Sequence, residues 1–205
     1  MTEEYYEKLL NIETKKEQKN FNESLHYNRY EATPYYALNL LFNSYELNKS
    51  DSVVDYGCGK GRLLFYINHF FNVNVTGIEM DKNFYIDCLA NTDSYLLTHK
   101  KSKGQIKFFN DYAENYLISE TNNKFYFFNP FSIQIFIKIL QNILNSIEKN
   151  NRIVDIVLYY PSDDYIYYLE TCTAFTLIKE IRIDNLFIKD SRERFLIYRL
   201  NLLSI

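Results

Sequence analysis

The sequence predicts an α/β fold: a doubly wound, mostly parallel, seven-stranded sheet with an antiparallel C-terminal hairpin strand and helices on both faces. Three observations predict it. Val53-Val54-Asp55-Tyr56 runs directly into Gly57, Gly59 and Gly61, and an apolar helical pattern follows; this is a strand entering a tight turn at a helix N-terminus. Short apolar runs then alternate with helical periodicity as far as Cys172, which implies a parallel sheet covered on both sides. The last two apolar runs, Phe175–Ile183 and Phe195–Leu202, are joined by a polar loop at Lys189-Asp190-Ser191 with no helix expected between them, which makes an antiparallel edge.

Element by element, residues 1–25 are polar around Lys15-Lys16-Glu17-Gln18-Lys19 and carry a weak apolar rhythm. The chain is accordingly divided into an N-terminal helical arm or lid, 1–32, and a main domain, 33–205. Thr33-Pro34 predicts a helix start, with Thr33 as N-cap and Pro34 at the first helical position. Ala37, Leu38, Leu41, Phe42 and Tyr45 then form one face. Strand 53–56 is followed by a helix marked by Leu63, Leu64, Ile67, Phe70 and Phe71. Val73–Glu79 is a strand, and a helix from Lys82 to about Leu97 turns Phe84, Tyr85, Cys88 and Leu89 inward. Strands Ile106–Asn110 and Phe125–Asn129 flank a short helical piece from Ala113. Ser132 caps a long helix whose expected face is Ile133, Phe136, Ile137, Leu140, Leu144 and Ile147. Ile153–Tyr160 is a strand and Asp163–Cys172 a helix after Pro161.

Bulk properties narrow the function class. A chain of 205 residues, 47% hydrophobic and 24% charged, fits one globular domain or one domain with a short extension. No apolar run approaches the ~20 residues that span a bilayer, and Met-Thr-Glu-Glu-Tyr-Tyr is not a signal peptide, so no membrane partner is expected. Cys58, Cys88 and Cys172 lie far apart, so neither a disulfide framework nor a zinc site is indicated, and a reducing cytoplasm is the expected location. His26, His69 and His99 form no metal-spaced pair, and no metal is expected. The net charge of −3 gives no global field for nucleic acid; Lys100, Lys101 and Lys103 form a local patch or a solvated loop.

The spacing Asp55-x-Gly57-x-Gly59-x-Gly61 carries most of the functional information. A dinucleotide fingerprint places its third glycine one residue later, and a Walker loop would need Ser or Thr after Gly59-Lys60. Asp-x-Gly-x-Gly-x-Gly resembles the first motif of the class I, Rossmann-like S-adenosylmethionine (SAM) methyltransferases, and the seven-strand pattern from Thr33 to Leu202 resembles that family too. The resemblance implies SAM as cofactor and S-adenosylhomocysteine as its product. It places Asp55, Gly57, Cys58, Gly59 and Gly61 against the methionine part. The Cys58 thiol, near a helix N-terminus, could have a lowered pKa; simple packing is the alternative. Lys60 and Arg62 read as exposed cations, with Arg62 able to reach a carboxylate.

Glu79 ends its strand ~20 positions beyond the turn, where an acidic residue accepts the ribose hydroxyls; Asp81 reads as a helix cap. Asp111 and Tyr112 stand where the family holds adenine, with Asp111 as an ordinary cap the alternative. Asn129-Pro130-Phe131-Ser132 resembles the Asn-Pro-Pro-Tyr motif of amino methyltransferases acting on adenine or glutamine, departing at Phe131 and Ser132. Asn129 and Pro130 would aim an acceptor nitrogen, and Phe131 would stack on a planar target; a plain strand-end turn is the alternative. Tyr27–Tyr36 resembles a segment that lids the SAM site in several small bacterial methyltransferases and some protein-lysine methyltransferases, implicating Tyr30 and Thr33; a helix cap with an aromatic staple is the alternative. The acceptor is expected on a protein side chain or a small molecule. A nucleic-acid base, or a SAM-binding module without catalysis, is the alternative.

Overall fold

The computed structural model describes residues 2–15, 30–100 and 104–201. Strands β1 (Ser52–Tyr56), β2 (Asn74–Ile78), β3 (Ile106–Phe109), β4 (Lys124–Phe127), β5 (Val154–Tyr159), β6 (Thr176–Arg182) and β7 (Arg194–Leu200) form one sheet in the order β3-β2-β1-β4-β5-β7-β6. The first five are parallel, and β7 runs antiparallel to both β5 and β6. The expected seven-stranded, doubly wound sheet is therefore the one observed.

Helices α1 (Glu3–Leu10), α2 (Tyr35–Ser44), α3 (Arg62–Phe71) and α4 (Lys82–Thr98) cover one face. Helices α5 (Ile133–Lys149) and α6 (Asp163–Cys172) cover the other. Every residue of β1, β4 and β5 is buried, because apolar side chains alternate toward two separate cores. Leu38, Leu64, Ile67 and Val75 lie on the first side, and Phe125, Phe127, Phe136 and Leu140 on the second. Among the described residues no helix is long and apolar enough to cross a membrane.

Several expectations are corrected. The inward face of α4 is Phe84, Cys88, Asn91 and Tyr95, while Leu89 is exposed. That of α5 is Ile135, Phe136, Ile139, Leu140, Ile143 and Ile147, a stripe rotated from the expected one. Thr33 does not cap α2: its hydroxyl hydrogen-bonds the Tyr126 hydroxyl at 2.8 Å, and Pro34 is the capping position. Ser132 is the N-cap of α5 through its carbonyl, which accepts from the Ile135 and Phe136 N–H groups. A short helix, α7 (Asp184–Phe187), interrupts the hairpin that was expected to lack one. Lys16–Lys19, Tyr27–Arg29 with His26, Lys101, Lys103 and Leu202 lie outside the described residues.

The lower end of the sheet is fastened by a buried charge. Asp155 on β5 is fully buried and accepts from Lys124 Nζ (2.8 Å), Tyr45 Oη (2.6 Å) and Arg199 Nε (2.7 Å) and Nη2 (2.9 Å). Burial pushes its pKa up, but Arg199, Lys124 and Tyr45 outweigh it and hold the carboxyl below its ordinary value. Substituting Asp155→Ala leaves Lys124 buried without its main counter-charge, a change worth about 3–5 kcal/mol. Urea unfolding near neutral pH should show a loss of that size. The loss should shrink in acid, because a depressed carboxyl contributes stability only above its unfolded pKa of about 4 and yields it as pH falls through the folded value.

Candidate active site

The glycine turn links β1 to α3 at the point where the strand order reverses, the place where open α/β sheets bind ligands. Gly57, Gly59 and Gly61 have φ of 76°, 54° and 83°. Gly57 and Cys58 both donate backbone N–H groups to the Ile78 carbonyl, at 2.9 and 3.1 Å, so the turn is stitched to the end of β2. A Cβ on Gly59 would lie 2.1 Å from the Tyr30 ring, and one on Gly57 would lie 2.8 Å from Pro130 Cβ. Only glycine accommodates both the left-handed backbone and these neighbours.

Two buried carboxyls flank the turn. Glu79 Oε2 accepts from the Gly59 N–H at 2.9 Å and Oε1 from the Asp81 N–H at 2.8 Å. Asp81 caps α4, its Oδ1 accepting from Asn83 N at 2.7 Å and Phe84 N at 3.3 Å. Asp55 is 5% exposed and has no hydrogen-bond partner among the described residues. Burial, and then the Glu79 charge, raise Asp55 to about 8. Burial raises Glu79 to about 7, against the lowering effect of the Asp81 and Gly59 amides. Such a pair is suited to a ligand that brings donors or positive charge. Cys58 differs from the lowered-pKa expectation: burial and then Cys88 push its thiol well up, so it is an inert packing group.

Lys60 and Arg62 are buried, not exposed. Lys60 Nζ lies 3.3 Å from Asp87. Arg62 donates to Thr14 Oγ1 (2.7 Å), Glu3 Oε2 (2.7 Å) and the Thr33 carbonyl (3.3 Å), sits 3.5 Å from Glu7 Oε1, and stacks 4.5 Å over the Tyr35 ring. Tyr30 Oη donates to the Thr14 carbonyl at 2.8 Å. Residues 12–15 and 30–34 are thereby clasped beside the turn, with Tyr30 against Gly59. Sequence reasoning missed this clasp. Its one local signal is the acidic Glu3 and Glu7 spaced by one helical turn.

After β3, Asp111 Oδ1 accepts from the Tyr112 N–H (2.7 Å) and Asn115 Nδ2 (2.9 Å), while the N-cap of the 3-10 turn Ala113–Asn115 is Tyr112. Tyr112 is exposed. Asn110 donates to the Glu79 and Met80 carbonyls at 2.9 and 3.0 Å, drawing β3 to the acidic corner.

At the end of β4, Asn129 has φ 41° and Pro130 packs on Gly57. Phe131, expected to stack on a target, is 5% exposed, and its carbonyl accepts from Tyr165 Oη at 2.8 Å; its ring belongs to the core. On β5, Tyr160 has φ 51° and also precedes a proline. Phe127 pairs with Leu158, so Asn129 and Tyr160 end adjacent strands at the same level. His69 and His99 meet edge to face at 4.7 Å on the rim of α3 and α4, away from this corner.

A family model, that of the methionine biosynthesis protein MetW, matches residues 43–123, under half of the chain but including the turn, Glu79 and Asp111. No curated protein matches. Solved structures do. An RNA methyltransferase from Salinibacter ruber in complex with S-adenosylhomocysteine is 12% identical, with TM-score 0.53 over 83% of this chain and 92% of that one. A SAM-dependent methyltransferase from Thiobacillus denitrificans, also with S-adenosylhomocysteine, is 10% identical, with TM-score 0.54 over 80% and 90%. One from Aquifex aeolicus is 9% identical, with TM-score 0.56 over 78% and 87%. This is the class I methyltransferase fold.

Within the methyltransferase fold, the acidic corner of this chain should be visible in the unliganded protein. A carboxyl raised in the folded state favours folding below its unfolded pKa and loses that contribution as pH rises through the folded value. Urea midpoints of the wild type, relative to Asp55→Asn, should therefore fall between about pH 5 and about pH 9. Equal pH dependence in the two proteins would contradict a raised Asp55.

Proposed function

We propose that this chain is a SAM-dependent methyltransferase whose acceptor atom is a nitrogen. The observation that carries the reading is the pair of buried carboxyls, Asp55 without a hydrogen-bond donor and Glu79 with a raised pKa, on either side of a glycine turn. SAM fits that donor-poor corner, because it carries an ammonium group and two vicinal hydroxyls. Bound there, it supplies an electrophilic methyl whose C–S bond breaks, with its electron pair, onto sulfur as the acceptor lone pair forms the new C–N bond.

Asp55 would accept from the ammonium group and Glu79 from the ribose hydroxyls. Gly57, Gly59 and Cys58 offer bare backbone, and Gly61 lets α3 start close behind them. Tyr30 and Thr33 wall the cleft from the N-terminal side, and Asp111 and Tyr112 border the adenine end. Asn129 and Pro130 would aim the acceptor, its nitrogen held by the carboxamide oxygen while the surplus proton leaves to solvent. Positioning of this kind is most of what such a displacement needs from a protein. Phe131 would serve by backing Pro130.

The RNA methyltransferase among the similar structures makes a nucleic-acid base the second reading; a net charge of −3 weighs against it.

Calorimetric titration should give micromolar affinity for SAM and S-adenosylhomocysteine. It should weaken at least about tenfold in Asp55→Ala and Glu79→Ala, the scale of a lost charged hydrogen bond. Absence of binding by the wild type removes the reading. Because a cationic ligand lowers raised carboxyls, SAM binding near pH 7 should release protons, read as a dependence of the observed enthalpy on buffer ionisation. Asn129→Ala should keep SAM affinity within about twofold and lose at least about tenfold in turnover.

A further inference from the structure

Beyond the acidic corner, the carboxyl ends of β4 and β5 carry a second group of residues. Phe128 and Tyr159 rings lie 4.5 Å apart, and Phe128 and Tyr160 rings 6.4 Å apart. Tyr159 Oη donates to Glu193 Oε2 at 2.9 Å, which orients that carboxylate, while Glu193 Oε1 has no hydrogen bond to any described residue. Tyr36 is exposed at the start of α2, and burial, then the Glu193 and Glu3 charges, raise its phenol.

The neighbouring arginines are held by other carboxylates, Arg182 and Arg194 sharing Glu180. Arg192 is bound twice by Asp190, at 3.0 and 2.8 Å, and lies 4.3 Å from the Tyr160 ring centroid. Arg194 pairs with Glu180 at 2.9 Å. Glu193 makes no ion pair with a described residue and stands against Tyr159, whose ring packs on Phe128. Aromatic faces around a carboxylate select a cation. Arg192 already covers the Tyr160 ring, whose hydroxyl donates to Asp190, which leaves Phe128 and Tyr159 as the rings beside Glu193.

We infer that the methyl acceptor is an alkylamine, received in its ammonium form by Glu193 beside Tyr159 and Phe128; the ammonium gives one proton to solvent, and the lone pair so freed forms the C–N bond as the C–S bond breaks onto sulfur. The inference rests on the methyltransferase reading. The two left-handed, pre-proline residues support the placement. Asn129 and Tyr160 both have positive φ; asparagine visits that region readily, but a ring the size of tyrosine's rarely does, and strain of that kind gathers where groups are held for a ligand. Asn129 directly follows Phe128, so an amine seated there lies beside the carboxamide that would aim its nitrogen.

The same ammonium chemistry is carried by a lysine side chain and by a free aliphatic amine. The full chain with methyl-labelled SAM should be offered poly-L-lysine, putrescine, acetylated poly-lysine and an RNA oligonucleotide. Label should enter poly-lysine or putrescine and neither of the others, and which of the two is preferred identifies the source of the amine. Glu193→Gln should raise the KM for the amine at least about tenfold, and Glu193→Asp should recover part of it. Affinity for S-adenosylhomocysteine should be unchanged in both variants. Labelling of RNA alone, labelling of no amine by a protein that binds SAM, or an unaltered KM in Glu193→Gln overturns the inference. Failure to bind SAM at all overturns instead the reading beneath it.

Discussion

The hydrogen bond from the Gly59 N–H to the Glu79 carboxylate, 2.9 Å long, joins the two halves of the site. It ties the turn after β1 to the residue that closes β2. The same carboxylate holds the Asp81 amide at the start of α4, and Asn110 at the end of β3 donates to the carbonyls of Glu79 and Met80. Three consecutive parallel strands thus converge on one buried acid. A buried, half-neutralised carboxyl costs folding energy. It closes β2, the strand beside β1, and so lies next to the glycine turn at the switch point between β1 and β4.

The N-terminal segment reaches the same corner from the other side. Tyr6 stacks on Tyr35 at 4.7 Å, and Leu10 and Ile12 enter the core, so α1 is part of the packing of the domain. Arg62 converts that packing into position. One guanidinium binds Glu3, Thr14 and the Thr33 carbonyl, and so fixes the spacing between α1, the returning segment 30–34 and the first turn of α3. The planar, multi-donor geometry of arginine suits it to three directions at once; a lysine would supply charge without the spacing.

The strand–helix alternation was legible because short apolar strands buried on both faces are punctuated by turns and amphipathic helices, and local periodicity reports that directly. The glycine turn and Glu79 were legible because their spacing follows from strand and loop length. What was not legible depended on distant partners. Thr33 is drawn from its capping role by Tyr126, and Arg62 from solvent by Glu3 and Glu7. The α5 stripe was misassigned because Ile133, Ile135, Ile137 and Ile139 make most of its circumference apolar, so that only the sheet beneath decides which side turns in. Asp111 bonds the Tyr112 amide and the Asn115 side chain and does not cap the turn that follows; residue type alone did not show those local partners.

The order of the last three strands bears on how the sheet is assembled. β7 lies between β5 and β6, although it is made after both. Until residues 194–200 are available, β5 has a bare edge, and β6 has no neighbour to pair with in the sheet. Exposed strand edges of this kind are where chains pair wrongly. β6 and β7 are consecutive and antiparallel, so they form a local hairpin that joins the sheet through β7. The pairing of β7 with β5 also sets Glu193, one residue before β7, beside Tyr159 at the end of β5, so the join between the hairpin and the parallel strands is where that carboxylate is placed.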